Sequence, residues 1–199
     1  NALVPLIEET AGLEMILNTY ASNYQTKYEA MVRSKIGLHL TLKEDIKLIS
    51  DLEKTLQLSE TDMTIFYREL SNVKKEGSVG FAFATITNAF YNTSEVNIKF
   101  AKEWEKWFKL YLQRLQAETL SDDERKIAMN KVNPKYVLRN YMAQLAIDAA
   151  NNDDYSIING LFQMLQKPYD DQPEYEKWFA KRPDWAREKV GCSMLSCSS

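Results

Sequence analysis

The sequence predicts an all-α protein, a compact multi-helix array. Apolar residues recur at helical spacing along most of the chain, and no alternating strand-like run of useful length appears. Six glycines and five prolines in 199 residues are too few for the many tight turns of an all-β fold. Hydrophobic residues at 45% and charged residues at 27% are the balance of a folded chain, long enough for one large or two small domains. A net charge of −3 argues against nucleic acid or an anionic membrane surface as partner. The longest apolar runs fall far short of the roughly 18 residues that a membrane span needs.

The first helix is expected over residues 13–36, where Leu13, Ile16, Leu17, Tyr20, Tyr24, Tyr28, Met31 and Val32 form a 3.6-period stripe. Gly37 ends it, as the residue that tolerates a left-handed conformation. Thr41-Leu42-Lys43-Glu44 has capping-box spacing and opens a second helix with Ile46, Ile49, Leu52 and Leu56 on one face. Asp62 reads as the N-cap of a third, running through Ile65, Phe66 and Leu70. Residues 78–94 carry no charge and read as a partly buried connector with room for one short helix.

The strongest helical pattern covers 94–118, with Ile98, Phe100, Ala101, Trp104, Trp107, Phe108, Tyr111, Leu112 and Leu115 on its apolar side. Ser121-Asp122-Asp123-Glu124 is a second capping box, for a short helix to about Met129. Asn133-Pro134 reads as N-cap followed by Pro at N1, starting a helix through Val137, Leu138, Tyr141, Met142, Leu145 and Ile147. A last amphipathic helix covers 156–166, after which Pro173 and Pro183 divide the chain into short pieces holding Trp178, Phe179 and Trp185. Residues 1–199 form one all-α region, subdivided at most into 1–76, a connector over 77–93, and 94–199.

Little in the chain promises catalysis. The six glycines fit no phosphate-binding spacing, and the single His39, beside a helix break, suits a loop or capping role better than a triad. The acidic pairs Asp122-Asp123, Asp153-Asp154 and Asp170-Asp171 sit at turns or helix starts, where helix N-termini account for them. Cys192 and Cys197 lack zinc spacing and a second ligand pair; a redox role or an inert tail fits better. A free thiol at Cys197 is preferred to a Cys192–Cys197 bridge, because 193–196 holds no Gly or Pro to set a tight turn. One polar seam stands out. Asn140, Gln144 and Asp148 lie at i, i+4 and i+8 on an otherwise apolar helix, with Arg139 beside them. The seam is either a solvated face or a buried hydrogen-bond network, and it offers no activated nucleophile.

At this element the chain resembles the selenoprotein O family of kinase-fold protein adenylyltransferases, whose Asn-Pro-x-x-Val-Leu-Arg-Asn-x-x-x-Gln-x-Ala-Ile block is matched from Asn133 to Ile147. Upstream, Met31, Lys35-Ile36-Gly37-Leu38 and Asp62-x-Thr64-x-Phe66-x-Arg68-x-Leu70 are similar to the helices that follow the family's kinase-like core. Downstream, Lys167-Pro168-Tyr169-Asp170, Pro183-Asp184-Trp185-Ala186 and Ser196-Cys197-Ser198-Ser199 resemble its closing segments, some members carrying selenocysteine at the position of Cys197. The resemblance implies that the parent transfers AMP from ATP to Ser, Thr or Tyr hydroxyls of proteins, with Mg²⁺ or Mn²⁺. No residue here matches the family's glycine-rich loop, ATP-pairing lysine, catalytic Asp and Asn or metal-binding Asp. The expectation is therefore a non-catalytic C-terminal helical part that holds no cofactor itself. Its expected partners are a kinase-like lobe missing from the N-terminal side and the parent's protein substrates, with neither nucleic acid nor membrane. The start at Asn1-Ala2-Leu3-Val4, without Met, fits a fragment. The family implies a redox role for Cys197, and a location in the bacterial cytoplasm or, in a eukaryote, mitochondria. A stand-alone helical interaction scaffold is the alternative. Helices built to pack on the missing lobe are expected to leave an exposed apolar patch within residues 3–32.

Overall fold

The computed structural model describes residues 11–92, 98–189 and 192. Among these, nine α-helices follow one another: α1 (Ala11–Lys35), α2 (Asp45–Leu56), α3 (Met63–Leu70), α4 (Val79–Ile86), α5 (Ile98–Leu115), α6 (Asp122–Val132), α7 (Asn140–Ala150), α8 (Ser156–Leu165) and α9 (Trp185–Glu188). Short 3-10 turns cover Thr87–Ala89 and Pro173–Trp178, and a single antiparallel bridge, Thr61 with Phe90, is the only β pairing among the described residues. The all-α prediction holds.

Helix α5 is the axis of the larger core. Trp104, Phe108, Tyr111 and Leu115 are fully buried, and Trp107 stacks on Tyr111 with ring centroids 4.8 Å apart. Around this row pack Leu48, Ile49 and Leu52 of α2, Ile65, Phe66 and Leu70 of α3, and Ala82 and Ile86 of α4. Burying aliphatic and Phe side chains of this kind is worth about 1.5–3 kcal/mol each. A smaller cluster forms in the α7–α8 hairpin from Tyr136, Tyr141, Met142, Ala146, Leu161 and Met164, closed by Ala186 and Cys192. Phe179 touches both clusters.

Several local signals act as expected. Asp62 accepts from the Ile65 N–H at 3.1 Å, and Ser121 with Glu124 forms the reciprocal capping box. Gly37 takes φ +74°, with the space beside its Cα filled by Met129 and Arg125. Within residues 78–92, Ser78 caps the short helix α4, and Ala82, Ile86, Ala89 and Phe90 are fully buried; residues 93 and 94 lie outside the described residues. The stretch lacks charge because it packs between α3 and α5.

Two helix starts differ from the sequence reading. Thr41 caps nothing; α2 begins after Glu44, and the Asp45 carboxylate reaches back to accept from the Leu42 N–H at 2.9 Å. Ile46, expected on the apolar face, is exposed, while Leu48 takes its place in the core. Asn133 is the C-cap of α6 rather than an N-cap, and α7 starts only at Asn140. The intervening Lys135 and Tyr136 both donate their N–H to the Pro168 carbonyl, at 2.8 and 3.0 Å. Those tertiary bonds hold the segment extended where Pro134 alone would have permitted a first turn.

Candidate functional site

The candidate site is the outward face of α1, a groove lined by Ile16, Tyr20, Tyr24, Lys27, Tyr28 and Met31. The apolar stripe of this helix reads as a core face in the sequence, yet only Val32 of the described helix is buried. Leu17 is 71% exposed, Tyr20 65%, Tyr24 57% and Met31 49%. At 1.5 Å per residue the helix is about 37 Å long, and it is chiefly the last turns that meet α2 and α6. Beyond them no described element covers the stripe. The exposed patch expected within residues 3–32 is present on α1; residues 1–10 lie outside the described residues.

The face is ordered by its own side chains. Tyr20, Tyr24 and Tyr28 stack at i, i+4 intervals, with centroids 6.4 and 6.0 Å apart. Tyr28 donates a 2.5 Å hydrogen bond to Glu53 of α2, and this bond, with burial, pushes its hydroxyl up to about 12. Glu29 pairs loosely with Arg33 and accepts from Gln25. Lys27 has no ion-pair partner among the described residues.

Beneath this face the helices are tied by buried charges that sequence reading missed. Arg114 of α5 donates from Nε to Asp45 at 2.6 Å, from Nη1 to Glu118 at 2.9 Å and from Nη2 to the Leu40 carbonyl at 2.7 Å. Glu118 also receives the N–H groups of His39 and Leu40, so the His39 loop is fastened through its backbone. Arg125, fully buried, donates to the Val73 carbonyl and lies against Tyr111 and Met129. Arg68 reaches the carbonyls of Asn133 and Tyr169 and the carboxylate of Asp171. Apart from Glu118, four residues from Arg114, and Tyr111 and Met129 beside Arg125, these partners lie 52 to 103 residues apart, beyond any local periodicity.

The polar seam separates into two parts. Arg139 turns away from it and forms a bidentate pair with Asp62, which also accepts from the Tyr91 hydroxyl. Asn140 is exposed at the start of α7, and Gln144 donates to Asp148 at 2.7 Å. Lys189 bonds the other Asp148 oxygen at 2.9 Å, and that bond holds the carboxyl below its usual range. Asp148 is exposed and Gln144 half-buried. Cys192 is a free thiol buried in the smaller cluster rather than part of a loose tail. Cys197 lies outside the described residues.

Among the described residues, Gly12 and Gly80 lie within helices, Gly37 abuts Arg125 and Met129, and no group of three or more His, Cys, Asp or Glu is arranged to hold a metal. No described helix is long and apolar enough to cross a membrane.

A family model described as protein adenylyltransferase SelO matches residues 1–166. Proteins named protein nucleotidyltransferase YdiU align along the whole chain: 59% identical over 199 residues in Flavobacterium johnsoniae, 42% over 210 in Rhodopirellula baltica and 41% over 202 in an Azoarcus species. The chain spans only 38%, 39% and 38% of those relatives' lengths.

Proposed function

The chain belongs to the SelO family of protein adenylyltransferases, and from that membership we propose that it is the non-catalytic helical region of such an enzyme. In this reading the longer protein transfers AMP from ATP to Ser, Thr or Tyr hydroxyls of other proteins. A kinase-like lobe outside the chain binds ATP and Mg²⁺ or Mn²⁺, and the helical region follows that lobe and supports it. The observation that carries the reading is the uncovered apolar row on α1, which is ordered by stacked tyrosines and tied to α2 through Tyr28 and Glu53. The proposal also includes a bacterial cytoplasmic setting and oxidant control through Cys197.

Labelled ATP and a generic acceptor protein test this division of labour. The full-length protein is expected to incorporate AMP, and the 199-residue chain none; robust transfer by the chain alone overturns the reading. In the full-length protein, Cys197→Ser is expected to make activity insensitive to oxidant. Unchanged sensitivity removes the redox part and leaves the rest.

A further inference from the structure

Residues 181–189, which carry α9, are fastened to the rest of the molecule by side chains. Among the described residues, no backbone-to-backbone hydrogen bond joins this stretch to another element. The N–H groups of Ala186 and Arg187 bond to the carbonyls of Pro183 and Asp184, and that of Cys192 to Lys189. The Arg182 N–H reaches the Tyr91 hydroxyl at 3.0 Å, and the Lys181 ammonium donates to the Phe90 carbonyl at 2.7 Å. Arg182 and Arg187 hold the two oxygens of Glu60, each at 2.8 Å, and both guanidinium groups lie against the Tyr91 ring. At the other end Lys189 holds Asp148 of α7 at 2.9 Å. The side chains of Glu60 and Asp148 are 46% and 47% exposed, so water and salt reach all three ion pairs. Between these charged ends the stretch buries little. Ala186 is fully covered and Cys192 buried, while Trp185 meets Tyr141 edge to face at 6.3 Å and stays exposed.

We propose that residues 181–189 form a strap over the smaller cluster, latched at Glu60 and Asp148, which lifts while α5 and the α7–α8 hairpin stay folded. Cys192, bonded through its N–H to Lys189, leaves the cluster with the strap and meets solvent only in the lifted state. The case is a comparison of what each opening breaks. Lifting the strap breaks three half-exposed ion pairs, each weak and screened by salt, and uncovers two small side chains. Opening the hairpin also exposes Met142, Leu161 and Met164, buried with Tyr136 and Tyr141 in the same cluster. Apolar burial scales with area, so the strap opens at the lower cost. A thiol reacts only when solvent and reagent reach it. Ionic strength therefore governs access to Cys192 through the latch.

The test follows N-ethylmaleimide addition to Cys192 in the full-length protein carrying Cys197→Ser, read by mass spectrometry of the C-terminal peptide, alongside amide exchange in α5 and α8. Labelling is expected to be far slower than that of a cysteine in a short peptide. Its rate is expected to rise less steeply with urea than exchange in α8, as befits a step that uncovers less surface. Raising NaCl from about 0.05 M to about 0.5 M is expected to speed it about threefold. Glu60→Gln removes two of the pairs and is expected to speed it about three- to tenfold, and Asp148→Asn about twofold, each more than it speeds exchange in α8. Labelling as fast as in the short peptide overturns the proposal, because the thiol is then not covered. Labelling that tracks α8 through the urea series, or a rate unmoved by salt or by both substitutions, overturns it as well. The salt and urea series leave the latch residues intact, so they decide the matter even where a variant melts early.

Discussion

At the scale of single residues, the buried charges set the sharpest expectations. Arg114 stands between Asp45 and Glu118, both with fully buried side chains. Arg114→Met removes the guanidinium that pairs with both desolvated carboxylates. It is expected to cost about 3–5 kcal/mol, the range for breaking a buried pair by deleting one partner, as read from urea unfolding. Gly37→Ala is a separate case. Its φ of +74° disfavours a side chain, and an added Cβ would lie 2.6 Å from the Met129 sulfur and 2.9 Å from Arg125 Cγ. A loss of at least about 2 kcal/mol is expected in the same measurement. Tyr111 gives a pH signature. Burial raises its hydroxyl to about 12 from an ordinary value of 10.0. Its folded value is the higher one, so this contribution is complete below pH 10 and fades as pH rises toward 12. The melting temperature is expected to fall over that window, less steeply in Tyr111→Phe; equal slopes would show that Tyr111 does not contribute.

At the scale of elements, Asp62 joins three of them. One carboxylate caps α3, pairs with Arg139 at the entrance to α7 and accepts from Tyr91 after α4. Asp62→Asn keeps an N-cap and loses the ion pair, whereas Asp62→Ala loses both. The alanine variant is expected to be less stable than the asparagine by about 1 kcal/mol, the ordinary worth of a cap. Thermal unfolding of the two side by side checks this, and identical stabilities would mean that the cap carries no weight. The same bidentate pair explains why α7 begins late: Arg139 is held by Asp62, and residues before it are bonded to Pro168.

At the scale of the whole molecule, the smaller cluster is joined to the larger one mainly through polar contacts. Arg182 and Arg187 grip Glu60, Lys181 donates to the Phe90 carbonyl at 2.7 Å, and Phe179 supplies the shared apolar contact. A junction of partly exposed ion pairs is weaker than the aromatic packing along α5. Amide exchange in α7 and α8 is therefore expected to proceed at lower opening free energy than in α5. Glu60→Gln should speed exchange in α7 and α8 while α5 stays protected, and a uniform change across all three helices would show one cooperative unit instead.

The sequence by itself determined the helical class, the buried row of α5, the Asp62 and Ser121 caps and the stop at Gly37. Each of these depends on residues within a turn or two of one another, so local spacing is sufficient. Family membership was legible as well, through residue blocks such as Asn133–Ile147, while the chemistry of α1 was only half legible. Its stripe was visible, but a stripe says that a face is apolar, not whether a neighbour covers it, and here only Val32 is covered. The pairings of Arg114 with Asp45, Arg139 with Asp62 and Arg68 with Asp171 were invisible because they span 69 to 103 residues. The start of α7 also belonged to the tertiary structure. Pro134 is compatible with a helix or an extended strand of chain, and the carbonyl of Pro168, packed alongside, captured the N–H groups of Lys135 and Tyr136. Folding brings those distant groups within hydrogen-bond range, and burial then makes leaving them unpaired costlier than giving up a helical turn.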